Sequence, residues 1–143
     1  MSWKKISSVQ KYKSEWTELT VDEVEIENGK RILWDVVRKK PFAMIVPWDG
    51  ERLTLVGQYR YPIDAFSWEF PAGTCESESP EKTAIEELRQ ETGLRAARMQ
   101  RIGSFYASSG FTNCHATLFF ATDLEQGQTD REETESGMRV KQV

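Results

Sequence analysis

Apolar and polar positions alternate between residues 17 and 40. In residues 17–40, Val21, Val24 and Ile26 precede Asn28-Gly29, and Ile32, Trp34 and Val36 follow it. Asn-Gly accepts the positive φ angles of a tight hairpin turn, so the segment predicts a β-hairpin. FAMIVP, 42–47, is a short apolar strand, and Asp49-Gly50 is a second turn signal. LTLVGQYRY, 53–61, predicts the next strand, and FSWEFPAG, 66–73, follows it and ends in Pro and Gly. At Pro80 the period changes. Pro80 to Thr92 predicts a helix, with Ser79 as cap, Pro80 in the first turn and Gly93 as a left-handed stop. Ala84, Ile85 and Leu88 share a face that should pack on a sheet. MQRIGSFYASSG and HATLFFATDL predict two more strands around a turn at Ser108 to Asn113. An acidic loop and a short strand in GMRVKQV close the chain. With many strands, one clear helix and no repeat, the pattern is α+β.

Composition narrows the function classes. A chain of 143 residues suits one domain with a sizeable core. The net charge of −4 argues against a nucleic-acid or anionic-membrane partner, which calls for basic patches. Cys75 and Cys114 form no CxxC, and His115 is the single histidine, so a Cys- or His-rich metal site is excluded. Cys114 and His115 read as strand residues without chemistry. No segment has the apolar length of a signal peptide or a membrane span, and the expected compartment is the reducing cytoplasm.

The helix carries the candidate chemistry. Glu87 and Glu91 are four residues apart, which places their carboxylates on adjacent turns of one face, roughly 5–6 Å apart at Cβ. Two like charges so placed repel unless a cation lies between them. A hard divalent cation with oxygen ligands answers that need, and Mg²⁺ tolerates one or two carboxylates plus substrate phosphates. The helical projection puts the pair on the flank of the Ala84–Ile85–Leu88 face. The alternative reading is a solvated acidic face.

EFPAG followed by GTCESESPEKTAIEELRQETGL resembles the Nudix box: glycine, five residues, Glu, seven residues, then Arg-Glu-aliphatic-any-Glu-Glu-any-Gly-aliphatic. VGQYRYP, WEFPAG and SFYASSGFTNCHATLFFA are similar to the ADP-ribose pyrophosphatase branch of the Nudix hydrolases. The resemblance spans roughly residues 34 to 124. It implies a Nudix fold: a mixed β-sheet with the box helix packed on it, plus the N-terminal hairpin. Residues 1–40 would be N-terminal strands that form a homodimer, and 41–143 the hydrolase domain. The C-terminal helix usual in the family is expected to be missing.

The resemblance also implies site residues. Counting back from Gly93, Glu87 and Glu91 fall on the metal-ligating glutamates, and Leu88 and Leu94 on the aliphatic positions. Glu78 falls on the early glutamate, with Gly73 as the first glycine if the loop is one residue shorter than usual. The carbonyl of Ala72 is the implied third protein ligand, with Mg²⁺ or Mn²⁺ as the metal. Arg60 would contact the diphosphate, Trp34 would stack on adenine, and Glu69 would touch substrate or metal. In SSGFTN, Ser109 stands for the family's proline, and Gly110 is expected in a conformation closed to other residues. The general base would come from Glu132, Glu133 or Glu135, of which Glu135 is favoured.

Two positions depart from the box. Glu86 stands for its arginine and Gln90 for the first glutamate of its pair. They lie one turn apart on one face. Two anions there would repel, whereas Gln90 can donate to Glu86. The expectation is a rebuilt flank beside a working metal pair. The implied activity is Mg²⁺-dependent hydrolysis of a nucleoside diphosphate sugar, ADP-ribose first. The alternatives are another nucleotide-linked diphosphate and a catalytically silent nucleotide-binding module.

Overall fold

The computed structural model describes residues 2–76, 79–131, 133–135 and 137–143, and of Thr134 the backbone alone. Contacts divide the chain into two units. One holds the residues up to Pro41 together with Tyr106–His115, and the other holds Phe42–Phe105 with Ala116–Val143.

In the first unit, β1 (Lys4–Lys13), β2 (Glu18–Glu25) and β3 (Arg31–Arg38) form an antiparallel sheet in that order. The predicted hairpin is β2–β3, turned at Gly29 with φ 78°. The added strand β1 is exposed almost throughout, so it lacks the alternation that marked the other two. Along β2, Thr20 and Asp22 are the buried positions. Asp22 accepts from Ser8 Oγ at 2.5 Å and from Arg38 Nη2 at 2.9 Å.

The second unit starts with β4 (Phe42–Pro47), whose Ala43, Ile45 and Pro47 are buried in strict alternation. β5 (Thr54–Arg60) and β6 (Ala65–Glu69) pair antiparallel, followed by β7 (Ala72–Thr74) and the helix α1 (Pro80–Thr92). β8 (Leu94–Tyr106) and β9 (His115–Gln126) run out and back, and β10 (Arg139–Gln142) ends the chain. Two sheets result, ordered β7-β4-β9-β8 and β10-β5-β6, and β4 runs parallel to β9.

The helix ends follow the residue chemistry. Ser79 Oγ accepts from Lys82 N, and Gly93 closes the helix at φ 77° with its N–H on Arg89 O. α1 packs on β4 and β7, and Ala84 and Leu88 join Ala43, Ile45, Leu94, Phe119 and Ala121 in one core. Burying Ile45 or Leu88 contributes about 1.5–3 kcal/mol each.

The packed face differs from the expected one at Ile85, which is 51% exposed. The buried arc is Thr83, Ala84, Leu88, Glu91 and Thr92. The helix is therefore rolled toward its carboxylate side, and Ile85 lies just past the far edge of the arc. Two short 3₁₀ turns, Tyr61–Ile63 and Glu133–Glu135, complete the regular structure among the described residues.

Candidate active site

α1 brings three carboxylates together with the late loop. Glu87, Glu91 and Glu135 each offer an oxygen, and these atoms lie within 4.8 Å of one another. Glu91 is not on a flank, as the helical projection implied, but 2% exposed inside the packed face. Glu87 is half-buried at the edge. The difference follows from the roll of α1, which turns Glu91 inward along with Ala84 and Leu88.

β7 supports both helix carboxylates. The Ala72 N–H donates to Glu91 Oε2 at 3.1 Å. Gly73 leaves room for Glu87, because a Cβ on Gly73 would overlap the Glu87 carboxylate. Glycine at 73 therefore lets the Glu87 carboxylate lie against the PAG segment, whatever its loop length. Glu78 and Glu132, candidates of the sequence reading, lie outside the described residues. Glu133 is exposed.

Burial, then the negative charges of Glu87 and Glu135, push the Glu91 carboxyl up to about 8, against the pull of the Ala72 N–H and of Arg60. A buried carboxylate with two like-charged neighbours and an all-oxygen donor set fits a hard divalent cation, which removes the cost of ionising it.

Arg60 and Glu69 face the same cluster. Arg60 Nε and Nη2 donate to the Glu69 carboxylate, the shortest at 2.5 Å. That bidentate pair holds Glu69 below the usual carboxylate range. Arg60 is raised chiefly by its hydrogen bond to Glu69, and Glu91 and Glu135 add to the effect. Arg60 is thus a cation that faces the carboxylate cluster.

In the first unit, Trp34 is 37% exposed and meets the edge of Trp3 at 5.3 Å. Its Nε1–H donates to Gly110 O at 2.9 Å. Gly110 does not have the special conformation expected of it: the glycines with positive φ are Gly29, Gly50 and Gly93. The turn closes with Phe111 N and Thr112 N both on Ser108 O, which ordinary right-handed angles allow.

Sequence reasoning missed what holds the late loop. Asp130 N donates to Gln90 O at 3.1 Å, and the Asp130 carboxylate pairs with Arg89. Arg131 Nε and Nη2 donate to Glu91 O, and Gln126 Nε2 to Thr92 O. A helix end leaves carbonyls without partners, so it attracts donors. That rule could have directed attention to Arg131 in TDREETE, but no spacing singles it out. Glu86 is exposed, and no hydrogen bond joins it to Gln90, so the expected link between the two departures is not formed.

The NUDIX domain family matches residues 38–143, well over half of the chain. The chain belongs to the Nudix hydrolase family. Among its relatives is an ADP-ribose pyrophosphatase of Bacillus subtilis (strain 168), 34% identical over 131 residues, which are 90% of this chain and 71% of the relative. Another is a methanol dehydrogenase activator of Bacillus methanolicus, 33% identical over 125 residues, 86% of this chain and 68% of the relative. A solved structure of an ADP compounds hydrolase shares the fold at a TM-score of 0.87 with 18% identity, covering 99% of this chain and 78% of its own. This Nudix chain is of the ADP-ribose pyrophosphatase-like kind and has the mixed α+β architecture of the family. Among its described residues no helix is long and apolar enough to cross a membrane.

Proposed function

We propose that this chain hydrolyses the diphosphate of a nucleoside diphosphate sugar, ADP-ribose foremost, to AMP and ribose 5-phosphate. The observation that carries the reading is the buried Glu91 carboxylate gathered with Glu87 and Glu135 opposite Arg60. The likeness to ADP-ribose pyrophosphatase supports the choice of substrate. Glu87, Glu91 and the Ala72 carbonyl would hold Mg²⁺, with Mn²⁺ as a substitute. Such a cation neutralises diphosphate charge and acidifies bound water.

The chain's own groups do the rest. Arg60 offers its guanidinium to the phosphoryl oxygens, and Glu69 fixes the plane of that guanidinium by its bidentate contact. Glu135 accepts the proton of the attacking water. Trp34, oriented by its bond to the Gly110 carbonyl, presents an indole face on which an adenine can stack. The working form is proposed to be a cytoplasmic homodimer.

Release of AMP from ADP-ribose, with and without Mg²⁺, tests the proposal on wild type beside Glu91→Gln. Metal-dependent AMP from wild type alone is the expected result. Tight ADP-ribose binding by calorimetry without turnover would replace hydrolysis with recognition.

A further inference from the structure

The C-terminal end of α1 is tied to the late loop by a series of bonds. Asp130 N meets Gln90 O, Gln126 Nε2 meets Thr92 O, and Gly127 N meets Gly93 O. Arg131 makes the contact that matters most for the site. Its Nε and Nη2 grip the Glu91 carbonyl at 3.1 and 3.0 Å, and its Nη1 donates to Met138 O at 2.8 Å. Met138 N in turn donates to Glu135 O at 2.8 Å.

One planar guanidinium therefore joins the backbone of Glu91 to the backbone that closes the turn of Glu135. The side chains of those same two residues lie in the carboxylate cluster. The segment between β9 and β10 has only a single 3₁₀ turn of regular structure among its described residues.

We propose that Arg131 is a positioning residue. It fixes the Glu135 turn against the end of α1, so that Glu135 meets Glu87 and Glu91. The inference rests on the reading of the cluster as the catalytic metal site. A purely structural role would be the general stabilisation that any cation gives a helix C-terminus. The fork separates the two. Lysine keeps the charge at the helix end, but it cannot span two carbonyls with a rigid plane of donors.

The experiment measures Mn²⁺ binding by calorimetry and ADP-ribose turnover in wild type, Arg131→Ala, Arg131→Lys, Glu135→Gln and Arg131→Ala/Glu135→Gln. Arg131→Ala and Arg131→Lys should each weaken Mn²⁺ binding about tenfold, because a displaced Glu135 takes its negative charge out of the cluster that surrounds the metal. kcat should fall with them while KM stays near wild type. In the Glu135→Gln background, Arg131→Ala should add nothing, because it acts through Glu135. Unchanged Mn²⁺ binding in Arg131→Ala, full recovery in Arg131→Lys, or losses that add in the double variant would each overturn the proposal. If Arg131→Ala does not fold, Arg131→Lys alone decides by its Mn²⁺ affinity. A wild type that binds no Mn²⁺ would remove the metal-site reading itself, and is thereby told apart from a wild type that binds as well as its Arg131 variants.

Discussion

Asp22 in the N-terminal sheet and Glu91 in the helix are both nearly closed to solvent, 5% and 2% exposed. Their environments act in opposite senses. The Ser8 hydroxyl, with Arg38 adding its charge, holds Asp22 below the ordinary carboxylate range despite burial. Glu91 has one backbone donor and two carboxylates for company, and it is pushed up to about 8. Asp22 is a satisfied anion inside its own sheet. Glu91 is a carboxyl held protonated by its surroundings, and a cation beside it would favour its ionised form. Low exposure alone does not mark a functional carboxylate; the cost of desolvating it, set against the hydrogen bonds and charges around it, does.

The largest test of this contrast is the pH dependence of stability without metal. From the ordinary 4.5 up to about 8, the unfolded chain has released the Glu91 proton and the folded chain retains it. The folded state then binds more protons, so stability falls as pH rises through that window. The loss is on the order of a few kcal/mol. Glu91→Gln should flatten the fall and melt above wild type near pH 8, in thermal melts across pH with a chelator present. Mg²⁺ should restore wild type at pH 8 and leave the variant unmoved. A wild type whose metal-free stability is level across the window would break the contrast.

Asp22 should behave in the reverse sense. Its contribution is present above the ordinary 3.8 and is lost as pH falls through the lowered value. Asp22→Ala strips a partner from Ser8 and from the half-exposed Arg38, at a cost of about 1–3 kcal/mol by urea unfolding at neutral pH. The stabilisation by Mg²⁺ should survive the change. A neutral or stabilising Asp22→Ala would mean that its hydrogen bonds do not offset its desolvation.

Gly73→Ala sharpens the contrast without removing any carboxylate. The added methyl takes the space of the Glu87 carboxylate, the far end of a flexible side chain. The side chain can swing away, so stability should change little. Mn²⁺ affinity should fall about tenfold, because a displaced ligand is lost to the site. Equal Mn²⁺ affinity in Gly73→Ala would show that Glu87 is not needed where the structure has it.

The sequence was most informative where residue chemistry is local. Gly29, Ser79, Pro80 and Gly93 fix turns and helix ends by their own backbone preferences, and the structure has them in those roles; Asn28 keeps a negative φ, so Gly29 alone supplies the left-handed position of its turn. FAMIVP is β4 from end to end. Spacing also brought out Glu87 and Glu91. What spacing could not give was the roll of α1. A helix with few apolar residues leaves its packed face poorly determined, and a buried Glu91 in place of a buried Ile85 depends on β7 lying beneath it. The grip of Arg131 on Glu91 joins residues forty apart in sequence through carbonyls, which leave no trace in side-chain patterns.

The smallest expected effect belongs to Glu86, the position where the box has arginine. Glu86 is exposed, and its helical neighbours include Lys82 four residues before and Arg89 three after. A glutamate there lies between two cations, whereas arginine would meet like charge on both sides. Glu86→Arg should therefore cost only about 0.2–0.5 kcal/mol by urea unfolding. Mn²⁺ affinity and AMP release should stay near wild type, because Glu91 is held by Ala72 and Arg131 and the Glu87 carboxylate lies against Gly73. A tenfold gain in turnover from Glu86→Arg would instead show that the missing arginine limits the site. The departure from the family pattern would then be a loss of catalytic support, and not an adjustment of a solvated helix face.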